Sequence, residues 1–251
     1  MTERARAHPS GRKAADVVAA ALRRRVILGE LREGDLLPPD ETLLAELRVS
    51  KPTLRQAIRI LESESLVTVR RGPRGGVRVS VPRVETAAGY VATVLGYRRA
   101  TTSDLFEAAA ALEGPCAAMV ARSRTADQLR RLRAAVASEA EAAADAQQLL
   151  ARENDFHRLL IECTGNGTLM VLCEMVRVVI DEVTARYLAA TRPEVHEPML
   201  AVGTRTHGRV VDLIERRDAE AAEALWRRHI RDTAASIGRI GGAERVVDVL
   251  G

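Results

Sequence analysis

The chain has 251 residues, 47% of them hydrophobic but only 2% aromatic, enough for one large or two ordinary domains with aliphatic cores and too apolar for bulk disorder. Residues 1–83 carry 17 Lys and Arg against 10 Asp and Glu, whereas 84–251 carry 21 against 24, so basic charge sits in the first third, as in a segment that meets a polyanion. No apolar run nears the roughly 20 residues of a membrane span, and "MTERARAHPSGRKAAD" lacks the apolar centre of a secretory signal. A cytoplasmic protein with no membrane partner is expected. Cys116, Cys163 and Cys173 form no C-x-x-C pair, which argues against a disulfide framework or thiolate zinc knuckle and for small buried hydrophobes.

From Ala14 to Leu28 the apolar residues Ala14, Val17, Val18, Ala21, Leu22 and Val26 recur with a helical period, and Gly29 ends the run. "LREGDLLPP" is a turn-rich connector. Asp40 is placed to cap a short helix through Leu47. Ser50 is placed to cap a third helix, with Pro52 in its first turn and Leu54, Ile58 and Leu61 as its inner stripe. The period then falls to two in "LVTVRR" and "GVRVSV", on either side of "GPRGG", which predicts a hairpin with a glycine-rich tip. Residues 10–81 therefore read as a winged helix-turn-helix, followed by a linker at 82–85.

Residues 86–242 read as all-helical, with helices at about 86–97, 103–122, 125–145, 147–164, 168–190, 198–216 and 218–238. "TTSD", "SRTAD", "TGNGT", "TRPEVHEP" and "RRD" supply the breaks. "ASEAEAAADA" reads as a solvated helix face. The fold class is mainly α: a winged helix-turn-helix followed by a bundle of six to seven helices.

In the first segment, Lys51, Thr53 and Arg55 fall on the side of the third helix away from Leu54, Ile58 and Leu61. A recognition helix offers such residues to the major groove, where Arg and Lys can donate to guanine and Thr can meet a thymine methyl or a phosphate. Arg70, Arg71 and Arg74 surround the wing-tip glycines, where small residues allow close approach to phosphate. A solvated basic helix beside an ordinary hairpin is the structural alternative. The stretch "LREGDLLPPDETLLAELRVSKPTLRQAIRILESESLVTVRRGPRGGV" resembles the N-terminal domain of GntR-type bacterial transcription regulators. The resemblance implies that Arg55 contacts bases and that Gly72, Arg74 and Gly75 form the wing tip. Two residues depart from the family pattern. Lys51 stands where Arg is usual, keeping charge but losing the bidentate fork. Glu41 stands where many members carry a DNA-contacting Arg.

Of five histidines, His8 lies in the N-terminal tail and His196 in a proline-flanked loop, while His157, His207 and His229 fall in helical segments. Glu153 precedes His157 by one turn and shares its face. Neutral imidazoles with a carboxylate suit Zn²⁺, Ni²⁺ or a related divalent ion, although helical histidines also serve as core or surface residues. "DLFEAAAALEGPCAAMVA", "RENDFHRLLIECTGN" and "THGRVVDLIERRDAEAAEALWRRHI" resemble the FadR-type C-terminal ligand-binding domain, FCD. The steps of 4, 50 and 22 residues from Glu153 to His157, His207 and His229 agree with that family's Asp and three His metal ligands. Glu153 replaces the usual Asp. Ala109 falls where an effector-facing arginine is usual; Arg177 or Arg205 could supply that charge, and Asn166, at the motif's final Asn, is expected with them at the effector pocket.

The reading is an effector-responsive regulator, most simply a repressor. It would be a homodimer on a near-palindromic double-stranded operator, with a carboxylic acid or more apolar metabolite sensed in a metal-containing helical pocket. One alternative is a metal-dependent enzyme with a DNA-binding appendage, for which Asp155 is the sequence-near candidate base. Another is a helical half that only dimerises around a vestigial metal site.

Overall fold

The computed structural model describes residues 11–72 and 75–241; His8 and Arg74 lie outside the described residues. Two compact units divide after Thr86. The first contains α1 (Gly11–Ile27), α2 (Asp40–Leu47), α3 (Lys51–Ser63), β1 (Val67–Arg70) and β2 (Gly76–Val79). Its core gathers Val18, Leu22 and Val26 of α1 with Leu43, Leu54, Ala57 and Leu61 and the strand residues Val67 and Val79. Val17, expected inside, is exposed, because the α1 stripe runs instead through Ala15, Val18, Ala19 and Leu22.

Ser50 caps α3, its side chain accepting from the Thr53 amide. Asp40 is not a cap: it is the first residue of α2 after Pro39, and with Glu41 it sets two acids in the first turn, where the helix dipole favours them. The strands pair antiparallel, with Val67 opposite Val79 and Arg70 opposite Gly76. A third segment completes the wing's inner edge: the Leu37 amide donates to the Val77 carbonyl and the Val79 amide to the Asp35 carbonyl, each at 2.8 Å.

The second unit holds α4 (Val84–Tyr97) from residue 87 onward, then α5 (Thr102–Ser123), α6 (Ala126–Glu141), α7 (Ala146–Glu162), α8 (Gly167–Ala190), α9 (Pro193–Glu215) and α10 (Ala219–Gly241). Residues 84 and 85, expected in the linker, belong to the first turn of α4. Capping boxes open α5 at Thr101 and Asp104 and α6 at Thr125 and Gln128, while Asp145 caps α7 and Asn166 caps α8. Asp145 at that cap explains why α6 stops at Glu141, short of the expected 145.

The largest difference is α9, which begins at Pro193 rather than 198. Pro193 occupies the first turn, where its missing N–H costs nothing, and the helix runs on through Pro198 because burial of its inner face outweighs one lost backbone bond. His196 is consequently helical and buried, with Nδ1 3.1 Å from Thr191 Oγ1. The core is built on Phe106, Leu132, Phe156, Leu160, Val210, Ile214 and Trp226, and α10 makes its most extensive contact with α5. All three cysteines are free and buried. Among the described residues no helix is long and apolar enough to cross a membrane.

Candidate DNA-reading face and metal centre

In the first unit Lys51 and Arg55 are exposed on α3, and Thr53 is half-buried with its hydroxyl 2.9 Å from that of Ser50. Arg70 and Arg71 are exposed where β1 ends. The tip is closed by the Gly75 amide donating to the Gly72 carbonyl at 2.9 Å. Gly72 has φ +110°, and a Cβ at Gly75 would lie 2.8 Å from the Gly72 carbonyl oxygen and 2.9 Å from the Arg71 carbonyl carbon, so both positions need glycine. Glu41 lies exposed in the first turn of α2.

In the second unit three helices bring His157 (α7), His207 (α9) and His229 (α10) together. All are buried, and one ligand nitrogen from each lies within 4.8 Å of the others. Phe156 stacks on His207 at 4.4 Å between centroids, and Trp226 lies 4.5, 5.3 and 5.1 Å from His157, His207 and His229. These rings fix the imidazole planes.

The outer nitrogens of two of them are held by carboxyls. His157 Nδ1 lies 2.7 Å from Glu113 Oε2, which also accepts from Trp226 Nε1 at 3.3 Å. Indole can only donate, so Glu113 Oε2 accepts from Trp226, and Arg177 Nη1 also lies 3.3 Å from His157 Nδ1. His207 Nδ1 lies 2.8 Å from Glu139 Oε1, which leaves its Nε2 facing His229 Nε2 at 3.1 Å. Such carboxylate–histidine pairs fix tautomer and ring orientation in metal sites.

Electrostatics point the same way. Burial holds His157 and His229 well below the ordinary imidazole range, and the Arg177 and His207 charges add to the effect. Burial, then Arg177, brings His207 down to about 3. All three are neutral at pH 7, the form in which imidazole could ligate a metal. Burial raises Glu113 against the pull of Arg177 and raises Glu139 to about 8. Burial and the charge of Glu139 raise Glu153 to about 8. Among the described residues, Glu113, Glu139, Glu153 and Arg177 are the buried acids and bases besides histidine.

Glu153 lines the small chamber beside His157 and His229 but stands outside the three-nitrogen cluster. Its Oε1, buried and without a hydrogen-bond partner, lies where a Cβ of Gly203 would be. The structure thus brings three of the four expected ligands together, with the fourth turned toward α9. Arg177 is buried in the chamber wall, donating to Asn154 at 2.8 Å and Asp181 at 3.3 Å. Arg205 is exposed and lines neither cavity, because it falls on the outer face of α9. Asn166 is also exposed, and its side chain is spent capping α8. Asp155 is exposed and faces Arg152 and Arg158 away from the triad.

Glu113, Glu139, Trp226 and Gly203 were not singled out from the sequence. Glu113 could have been noticed as one acid inside "AAAALEGPCAAM". Glu139 could not: "ASEAEAAADA" reads as solvated, and the structure corrects this by burying Glu139 completely. Ala109 is packed in the core of α5. A cavity of about 560 Å³ adjoins the chamber between α8, α9 and α10 and shares Met199, Gly203, His229 and Thr233 with it.

The FCD domain family matches residues 104–232, and the family "Bacterial regulatory proteins, gntR family" matches 14–79. The HTH-type transcriptional repressor NanR of Cronobacter sakazakii is 27% identical over 237 residues, covering 90% of this chain and 85% of that protein. NanR of Klebsiella aerogenes is 26% identical over 246 residues, covering 93% and 89%. The solved structure of Streptococcus agalactiae GntR superposes with a TM-score of 0.65 at 24% identity, over 90% of this chain and 100% of that one, and shares its fold. These families are DNA-binding transcription regulators rather than enzymes. The chain belongs to the GntR family of bacterial transcription regulators, with an FCD domain as its C-terminal half.

Proposed function

We propose that the protein is a homodimeric repressor of a near-palindromic operator, released or tightened by a small acid that binds beside a divalent ion. The observation that carries the metal reading is the buried triad itself. Its three neutral imidazoles converge while Glu113 and Glu139 hold the outer nitrogens of two of them. Zn²⁺ or Ni²⁺ suits such a donor set, with His157, His207 and His229 as ligands and Glu153 as the fourth. The relatives' description as repressors supports the direction of control.

The adjoining cavity is the effector's place in this reading. Val195, Met199 and Val202 give it an apolar wall, and Arg209 and Arg228 stand at it, a combination suited to an acid with an apolar part. Because His229 lies on the shared wall, an acid seated there reaches the metal's surroundings. By linkage, effector and operator must alter each other's affinity by the same factor.

The test has two arms. Chelator-stripped wild type is expected to take up one divalent ion per chain, and His207→Ala none; equal uptake by both would refute the metal reading. Operator selected from a random duplex pool is then titrated with a panel of organic acids. An acid whose own affinity is unchanged by saturating operator would refute the coupling.

A further inference from the structure

The DNA-reading face of α3 can be drawn from what its helix buries. Leu54, Ala57 and Leu61 are fully buried, and they define the inner direction of the helix. At 3.6 residues per turn, Arg59 points roughly 165° away from their mean direction, Arg55 and Gln56 about 125–135°, and Lys51 only about 90°. Arg59 therefore occupies the middle of the outer face, with Arg55 and Gln56 on either side of it. All three are exposed. Thr53, half-buried, falls on the inner flank.

The acids that could neutralise Arg59 are engaged elsewhere. Glu62, one turn further along, accepts from the Val69 amide at 3.3 Å. Glu64 holds Arg23 through two hydrogen bonds of 2.8 and 2.6 Å, and Glu46 faces Arg25. Arg23 and Arg25 of α1 are thus paired with acids, while Arg55 and Arg59 make no ion pair or hydrogen bond among the described residues. A guanidinium at the centre of a groove-facing surface is placed for the bidentate contact with guanine O6 and N7. Phosphates, by contrast, flank the groove and are met from a helix's sides and ends.

We propose that Arg59 is a base-reading residue of this regulator, acting about two base steps from Arg55, since four residues of helix advance about 6 Å. The test uses the full-length protein and a randomised duplex DNA pool. Wild type, Arg59→Ala, Arg59→Lys and Arg55→Ala each select from the pool, and the enriched sequences are compared. Arg59→Ala is expected to lose preference at one position within about two base pairs of the one relaxed by Arg55→Ala. It should bind the wild-type sequence about 5- to 150-fold more weakly. Arg59→Lys keeps the charge but not the fork and should lose the same preference. Because the side chain is exposed, melting temperatures should match the wild type, which makes any loss one of recognition. An unchanged selected sequence, with affinity either retained or lowered equally on all DNA, would overturn the proposal, as would full retention of preference by Arg59→Lys.

Discussion

Gly203→Ala puts the packing around Glu153 to a test in which the sign of the effect should reverse. Within a helix, alanine ordinarily stabilises by about 1 kcal/mol over glycine. At Gly203 the new Cβ would fall on Glu153 Oε1 and lie 3.2 Å from its Cδ and 3.6 Å from Oε2. The carboxyl is nine-tenths buried and can turn only within the small chamber it lines, so the overlap becomes overpacking, at about 1–3 kcal/mol. The net expectation is a loss of roughly 0–2 kcal/mol in the wild-type background. In Glu153→Asp, one methylene shorter, the space is vacated and the same alanine should stabilise by about 1 kcal/mol. The four proteins of this cycle are unfolded in urea with excess chelator, following the helical transition by circular dichroism. Alanine that stabilises both backgrounds, or harms both equally, would refute the idea that glycine makes room for the glutamate.

Metal uptake should release a proton from Glu153, held near pH 8, if that carboxyl ligates; the imidazoles are already neutral. Affinity would then rise up to about tenfold per unit between pH 6 and 8, and calorimetry in buffers of different ionisation heat would count the proton. Pure three-histidine ligation gives a flat profile. Glu113→Gln and Glu139→Gln should each weaken metal binding about 10- to 100-fold, measured by competition with a coloured chelator; unchanged affinity would contradict their orienting role. In the stripped protein, Glu139 and Glu153 retain protons up to about pH 8, whereas the unfolded chain releases them near pH 4.5. The folded state binds more protons, so stability falls as pH rises from 6.5 to 8, by about 2.7 kcal/mol per unit at first and about 1.4 near pH 8. Melts that rise over this window would reverse that sign. On DNA, Arg55→Ala should cost about 1–3 kcal/mol and relax base preference, while Arg71→Ala should weaken all sequences alike and lower the salt slope by about 1. Competition binding at several salt concentrations separates the two.

Local chemistry made most of the fold legible. Ser50 before Pro52, the alternation around "GPRGG" and the apolar steps along α7 each carry their structural cause within a few residues. Pro193 and Pro198 misled for the same reason: a proline marks a break locally, and only tertiary burial of Leu200, His207 and Val211 reveals a helix continuing through. The triad was legible because the steps of 50 and 22 residues between the histidines match the ligand pattern of the family that the sequence resembles. Its supports were not. Glu139 reaches His207 across 68 residues and Glu113 reaches His157 across 44, and nothing in an alanine- and glutamate-rich helix distinguishes the buried acid from its solvated neighbours. Glu153 was legible as a neighbour of His157, but its turn toward Gly203 depends on a contact between helices.

Trp226 has a consequence for how the protein can be watched. It is the chain's single tryptophan, and its ring lies about one ring-width from all three imidazoles. Tryptophan emission from this molecule therefore originates at one spot, against the triad. An open-shell ion such as Ni²⁺ arriving there would quench it by contact, whereas closed-shell Zn²⁺ would shift it without quenching. Occupancy of the buried centre can thus be followed optically in unlabelled protein, with DNA or small acids present in the same cuvette.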